Sequence, residues 1–317
     1  MTRVFSLFLA FSFTASLAQT YPARPVRMLV GFPPGGGTDI NARLLAPKLG
    51  EYLGQPFVVE NRPGATTAIA SEMVAKAPPD GYTLLFTTSA LAINVSLRPN
   101  LPFDTLRDFA PVSIFSDSPN VLAVPGTLAV RDLGELIALA KAKPGSLNYS
   151  SAGSGTSQHL AGELFKLRTG TDIVHVPYKG TQASLTALIA GEVQISFANI
   201  PAIIQHVKGG RLRALAVASR RRTDQMPEVP TMQEAGVGGV EVPVWYALLA
   251  PAATPPAIVH ALSGAVARAA RDPSLKQKLL EQGADPVGDS AEEFAALLRE
   301  EVAKWAEVVK LSGAHAD

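Results

Sequence analysis

Two Gly/Ser-rich loops, Phe32-Pro-Pro-Gly-Gly-Gly-Thr-Asp39 and Ser150-Ser-Ala-Gly-Ser-Gly-Thr156, each stand where an apolar strand pattern gives way to a helical one. Such a loop constrains the fold, because it demands a strand on one side and a helix on the other. It also aims unpaired first-turn N–H groups and the positive end of the helix dipole at one point, a seat for a carboxylate or a phosphate. The loops lie far apart in the chain, so two such seats imply two domains facing each other.

The pattern around the loops is βαβ alternation. Apolar or β-rich runs (Val26 to Gly31, Pro56 to Glu60, Tyr82 to Thr88) alternate with helical spacing, as in Ile40, Leu44, Leu45, Leu49 and Leu53. Continuous apolar runs such as Arg27-Met-Leu-Val-Gly31 predict strands buried on both faces, hence a parallel or mixed sheet covered by helices. A second series follows in the same order: helix 132–143, strand 147–150, helix 156–168, strand 173–176, helix 182–190, strand 194–197, helix 201–208 and strand 212–219. Extended segments 111–115, 120–124 and 241–251 are the candidate crossovers. The tail is helical over 255–271, 274–282 and 290–311, the last opening with the capping box Ser290-Ala-Glu-Glu293. It is expected to return to the first domain.

Arg3, the apolar run from Val4 to Ala15 and the small-residue pattern Ser16-Leu17-Ala18 read as a secretory leader, residues 1–18. No later stretch reaches the ~20 apolar residues of a bilayer span. The chain has no cysteine, which excludes a disulfide framework, a thiolate metal site, a cysteine nucleophile and a lipid-modified cysteine after the leader. A free periplasmic protein is expected. With 28 basic and 27 acidic residues no field favours nucleic acid or a membrane surface, and the short run Arg220-Arg221-Arg222 reads as a solvated turn.

Each candidate residue has a plainer alternative. Gly35, Gly36 and Gly37 lack the Lys of a P-loop and the spacing of a dinucleotide fingerprint, with Glu60 alone keeping that reading alive. Asp39 is expected to cap the helix and to reach no ligand. The second loop offers hydroxyls from Ser150, Ser151, Ser154, Thr156 and Ser157 ahead of His159, which raises a serine-hydrolase reading, yet G-x-S-x-G is missing. The remaining histidines, His175, His206, His260 and His315, show no metal-ligand spacing. Tyr178-Lys179 and Asn199-Ile-Pro201 end predicted strands, where ligands of open α/β sheets bind. Trp245 reads as wall or core before pocket face.

The leader, Tyr21-Pro-x-Arg-Pro25, Pro33-Pro-Gly-Gly-Gly-Thr-Asp39, Val59-Glu-Asn-Arg-Pro-Gly64, Pro79-Asp-Gly-Tyr-Thr83, Gly153-Ser-Gly-Thr-Ser-Gln-His-Leu-Ala-Gly-Glu-Leu-Phe165, Val176-Pro-Tyr-Lys-Gly180, Leu212-Arg-Ala-Leu-Ala-Val217, Pro227-Glu-Val-Pro-Thr231 and Trp245-Tyr246 together resemble the Bug-type periplasmic solute-binding proteins, receptors of tripartite tricarboxylate transporters. The resemblance implies an α/β, two-domain Venus-flytrap fold of the type II periplasmic-binding class, with two crossover strands. Domain 1 would comprise 19–118 and 246–317, and domain 2 residues 119–245. It further implies a non-enzymatic monomer without cofactor or metal, which grips a small organic carboxylate between the domains and hands it to a large and a small integral membrane subunit. Coupling to a sensor kinase is the alternative that keeps the fold.

Carried over by motif, the ligand site comprises Phe32, Gly35, Gly36, Gly37, Thr38, Asp39, Thr66, Thr88, Ser89, Ser150, Ser154, Gly155, Thr156, Tyr178, Ala198 and Trp245. Three departures from the family pattern bear on the ligand. Thr66, Thr67 and Ala70 stand where Gly is usual, Ala90-Leu91 where a Thr-His pair is frequent, and Ala198 where Asp is common. If Ala198 faces the pocket, the missing carboxylate argues against an amino-acid ligand, and Leu91 favours an apolar ligand body.

Overall fold

The computed structural model describes residues 21–315, so the leader expected over 1–18 lies outside the described residues. The first series builds β1 (Val26–Val30), α1 (Gly37–Leu53), β2 (Phe57–Asn61), α2 (Ala68–Ala75), β3 (Thr83–Thr88) and α3 (Ala90–Leu97). A single long strand, β4 (Phe109–Pro125), follows. The second series is α4 (Leu133–Ala142), β5 (Leu147–Ser151), α5 (Ser157–Thr169), β6 (Ile173–Pro177), α6 (Thr181–Ala190), β7 (Ile195–Asn199), α7 (Ile200–Lys208) and β8 (Leu212–Val217). The chain ends in β9 (Pro243–Pro251), α8 (Pro256–Arg271), α9 (Pro273–Glu281), the two-residue β10 (Asp285–Pro286) and α10 (Ala291–Ser312).

The strands form one continuous path in the order β2-β1-β3-β9-β4-β7-β5-β6, with β8 and β10 also pairing with β4. Within each lobe the series strands are parallel, β1 with β2 and β3, and β5 with β6 and β7. Two antiparallel strands join the lobes. Strand β9 pairs with β3 and with the first part of β4, whereas from Asn120 onward β4 pairs with β7 and β8. The last pair of the β4–β9 ladder sets Pro119 opposite Pro243. The extended segments read separately at 111–115 and 120–124 are therefore one strand, which bends through register shifts after Pro111 and Ile114.

Three apolar clusters hold the layers together, each built from residues at the helical and strand periods of the sequence. Met28, Leu45, Phe86, Phe115 and Tyr246 fill the space beneath α1 and α8. Tyr149, Phe165, Phe197, Trp245, Phe294 and Trp305 run along the opposite face, and Val121, Leu188, Ala198 and Ile203 pack under α6 and α7. The tail reaches further than expected, since α10 packs on α3 and β4 of the first lobe and also on α5 of the second. Its capping box is present, with Ser290 Oγ accepting from the Glu293 N–H and Glu293 accepting from the Ser290 N–H. No helix of the described residues is long and apolar enough to cross a membrane.

Candidate functional site

The N-termini of α1, α5 and α6 and the N-cap of α7, Asn199, converge on a small cavity of about 40 Å³ between the lobes. Its lining includes Gly36, Gly37 and Thr38 from the start of α1, Ser157 and Gln158 from α5, Thr181 and Gln182 from α6, and Thr88 and Asn199 from strand ends. An α-helix leaves its first N–H groups without intrahelical partners, and its N-terminus carries roughly half a positive charge. At α1, α6 and α7 no side chain caps these groups. At α5 the Thr156 hydroxyl accepts from the His159 N–H, leaving the amides of Ser157 and Gln158 toward the cavity. The volume suits a carboxylate head or a few waters, not a whole metabolite.

A second chamber of about 600 Å³ adjoins this seat, sharing Phe32, Pro33, Ala152, Lys179 and Gly180 with it. Its other walls are Gly31, Pro63 to Thr66, Arg98, Gly153, Ser154, Pro177 and Tyr178. Together they form one cleft, polar at its floor and largely apolar toward its mouth.

The lobes touch across this cleft. Gln182 Nε2 donates to the Gly35 carbonyl at 2.5 Å, Thr66 Oγ1 to the Ser154 carbonyl at 2.7 Å, and Asn199 Nδ2 to the Tyr246 hydroxyl at 2.7 Å. Burial pushes the Tyr246 hydroxyl well above its usual range, only partly opposed by the Asn199 bond, so it stays neutral. Gly37 sits on this pair so closely that a Cβ there would lie 2.5 Å from the Tyr246 hydroxyl.

Asp39 differs from its expected part. It lies inside the first turn of α1, and its carboxylate turns back to accept from the Gly35 N–H at 3.0 Å, from Arg43 Nε at 3.0 Å and from Asn61 Nδ2 at 2.9 Å. Burial pushes this carboxyl up, but the bonds from Arg43, Gly35 and Asn61 outweigh it and hold the group below the usual carboxylate range. Asp39 therefore fixes the glycine loop and takes the Gly35 amide, which the seat cannot use.

The second loop is braced in a similar way. Gly155, at φ +89°, donates its N–H to His159 Nδ1 at 3.2 Å, and the His159 ring stacks on His175 with centroids 4.1 Å apart. His175 Nε2 lies 2.7 Å from Ser151 Oγ. The buried His159 thus supports the loop from beneath. Among the described residues no group of three His, Cys, Asp or Glu side chains could hold a metal ion.

Of the sixteen site residues expected, Phe32, Gly36, Gly37, Thr38, Thr88 and Thr156 line the inner seat, and Thr66, Ser154 and Tyr178 line the outer chamber with Phe32. The others stand behind these. Gly35, Asp39 and Gly155 shape the loops. Ser89 is the buried N-cap position of α3, and Ser150 accepts from Ser184 inside the second lobe. Ala198 and Trp245, carried into the site by motif, require correction, and with them the reasoning attached to Ala198; for Trp245 the core reading is the one the structure follows. Strand alternation turns Ala198 into the cluster with Val121, and Trp245 packs edge-on against Phe294, centroids 5.3 Å apart. Leu91 is likewise buried in the core. Asn199, one residue beyond Ala198 and already a strand-end candidate in the sequence, faces the seat instead, as does Ser157 of the second loop, and Gln158, Thr181, Gln182 and Arg98 join the cleft without having been expected in the site.

Residues 41–313 match the family described as the tripartite tricarboxylate transporter family receptor. The chain is 40% identical over 321 residues to the protein BugT of Bordetella pertussis, covering 99% of this chain and 98% of that one. Among solved structures, an R. palustris protein with adipate is similar at TM-score 0.91 and 38% identity, covering 94% of this chain and 100% of the other. MatC from Rhodopseudomonas palustris with bound malate is similar at TM-score 0.86 and 33% identity, covering 91% and 100%. With the two-lobed α/β fold and a cleft floored by helix N-termini, these matches place the chain in the family of Bug-type receptors of tripartite tricarboxylate transporters.

Proposed function

We propose that this protein is an extracytoplasmic receptor that closes two lobes on a small organic carboxylate and delivers it to the large and small membrane subunits of a tripartite transporter. One observation carries the reading: the uncapped N-termini of α1, α6 and α7 converge with α5 on a seat whose lining contains no Asp or Glu. The adipate and malate held by the two related structures support it. We place the lobe boundaries at 118/119 and 245/246, and export through a leader cleaved after Ala18.

Magnitudes bear on how such a ligand is held. A hydrogen bond to a charged group contributes about 1.5–3 kcal/mol, so four give roughly 6–12, against an association cost of ~4–15 kcal/mol. Micromolar binding, about −8 kcal/mol, therefore also needs apolar burial. Phe32, Pro33 and Tyr178 supply that surface in the outer chamber.

The test is a thermal-shift and calorimetric screen of the mature chain, from Gln19 onward, against mono-, di- and tricarboxylates, aromatic acids, amino acids and neutral amides. A ligand that binds only the folded chain adds about 2.7 kcal/mol of stability at a hundredfold excess over Kd and so raises its melting temperature. Thr38→Val removes a hydroxyl from the seat wall and is expected to weaken an acid about tenfold. Melting shifts produced by amides or sugars and not by any acid would overturn the reading.

A further inference from the structure

Of the three arginines in the run 220–222, the outer two are paired within their own lobe. Arg220 meets Glu241 at 2.9 Å, and Arg222 meets Glu234 at 2.8 Å and donates to the Pro227 carbonyl. The middle one turns the other way. Arg221 Nη2 stands 3.9 Å from Asp285 Oδ2 in β10, the strand that pairs with the first-lobe part of β4. Among the described residues this is the one ion pair that joins the two lobes. It is longer than a hydrogen bond, so it has room to tighten.

The pair lies in a crevice of about 810 Å³, lined by Asp117, Asp285 and the C-terminal half of α10 on one side and by Leu164, Arg168 and residues 219–223 on the other. The crevice and the seat share no residue. Val244 lines the seat, whereas Pro243, one residue before it, lines the crevice, so strand alternation puts the two hollows on opposite faces of β9 at the hinge. A turn of the lobes that narrows one hollow therefore widens the other.

Asp117 adds a second charge to the same contact. It stands directly opposite Asp285 in the β4–β10 pair, the arrangement in which like charges repel. Burial, and then the Asp285 carboxylate, raise its carboxyl to about 6, with Arg221 pulling the other way. Two carboxylates thus draw Arg221 above that pH, and one below it. The other charges facing this point are either matched or screened. Glu241 is held by Arg220 and Lys304 by Glu301, Tyr246 stays neutral, and Arg168 and Glu307 are exposed at the rim without an ion pair among the described residues.

We propose that Arg221, with Asp285 and Asp117, is a latch behind the hinge that draws the lobes together at the crevice, opens the seat on the other face, and so lowers acid affinity without touching the ligand. Its effect on affinity rests on the carboxylate reading of the seat; its effect on the lobes does not. An exposed pair of this kind shifts a two-state equilibrium by a factor of about two to five.

The chain has no cysteine, so E51C on α1 and A190C on α6, both at exposed positions, take spin labels at two defined points on either side of the cleft. The experiment is pulsed dipolar spectroscopy of the labelled mature chain without ligand, at low salt. R221Q and D285N are each expected to move the open-to-closed ratio two- to fivefold toward the shorter distance at pH 7.5. R221K is expected to keep most of the wild-type ratio, and R221D combined with D285R to restore it. Lowering the pH from 7.5 to 5 is expected to shift wild type in the same direction as R221Q, and D117N to hold the low-pH ratio at both values. Calorimetry with adipate as probe is expected to show R221Q binding two- to fivefold more tightly than wild type. Variants whose unfolding curves superimpose on wild type exclude a folding defect. Distances in R221Q equal to those of wild type, or a charge exchange that restores nothing, overturn the latch, and a pH dependence that survives D117N overturns the part given to Asp117. Failure of wild type to bind any acid counts against the carboxylate seat alone, because the distances are read without ligand.

Discussion

Thr66 Oγ1 donates to the Ser154 carbonyl at 2.7 Å, so a side chain of the first lobe is bonded to the glycine loop of the second. Thr66 holds this position in a left-handed backbone, φ +47°, between Ala65 at +44° and Thr67 at +77°. Each such non-glycine residue costs on the order of 1–2 kcal/mol. The Asn94 Nδ2 bond to the Thr66 carbonyl at 2.8 Å helps to fix the turn. Thr66→Val keeps the branched shape and removes the donor, a loss of about 0.5–1.5 kcal/mol. Acid affinity is expected to fall two- to tenfold by calorimetry, with a larger radius of gyration in X-ray scattering. Ala65→Gly relieves strain alone and should raise stability by about 1 kcal/mol without changing affinity.

Gly37 is required by space. A Cβ there would lie 2.5 Å from the Tyr246 hydroxyl and 2.9 Å from Asn199 Nδ2, both held in place by burial and by each other. Gly37→Ala must displace the start of α1 from the seat. Affinity for acids is expected to fall by tenfold or more, at a cost in stability of about 1–3 kcal/mol from overpacking. Affinity unchanged from wild type would contradict a seat made by α1.

Asp117 gives a pH signature away from the cleft. Burial, and then the Asp285 carboxylate opposite it in the β4–β10 pair, raise its carboxyl to about 6, with Arg221 pulling the other way. A carboxyl that holds its proton more tightly folded than unfolded stabilises the fold below pH ~4. That contribution is lost as pH rises through about 6. Asp117→Asn should therefore be more stable than wild type at pH 7.5, by roughly 1–3 kcal/mol, and should lose the advantage near pH 4. Denaturant melts at the two pH values check it.

Asp39 gives the opposite sign. Its lowered carboxyl contributes stability above the unfolded value, near pH ~4, and that contribution disappears as acid protonates it. Asp39→Asn cannot accept at once from the Gly35 N–H, Arg43 and Asn61 as a carboxylate does. Hydrogen exchange is expected to show faster opening of the loop around 33–38 in this variant at neutral pH, and a smaller difference at pH 3.

What the sequence disclosed was mainly local. The two loops predicted helix N-termini, and α1 and α5 begin there, because glycine turns and a Thr cap act over a few residues. The capping box at Ser290 was legible for the same reason. Helices α2 and α3 were not, since both are only eight residues long and mostly apolar, and α2 starts at a left-handed Thr67 that no N-cap rule anticipates. The choice between Ala198 and Asn199 turned on a single step of strand alternation, which periodicity resolves only to within about a residue. Gln158, Gln182 and Arg98 join the cleft through packing between distant segments, for which neither spacing nor composition carries a signal.

The rung where Pro119 meets Pro243 has neither of the amide donors that a ladder uses, because both residues lack an N–H. Immediately beyond it β4 exchanges β9 for β7 and β8. The connection between the lobes is thus stiff strand on both sides of a seam with no bonds to break. Rotation about that seam breaks no ladder bond at this rung, so the rest position of the two lobes is set by what bridges them elsewhere, at Thr66, Gln182 and Asn199 and along α10.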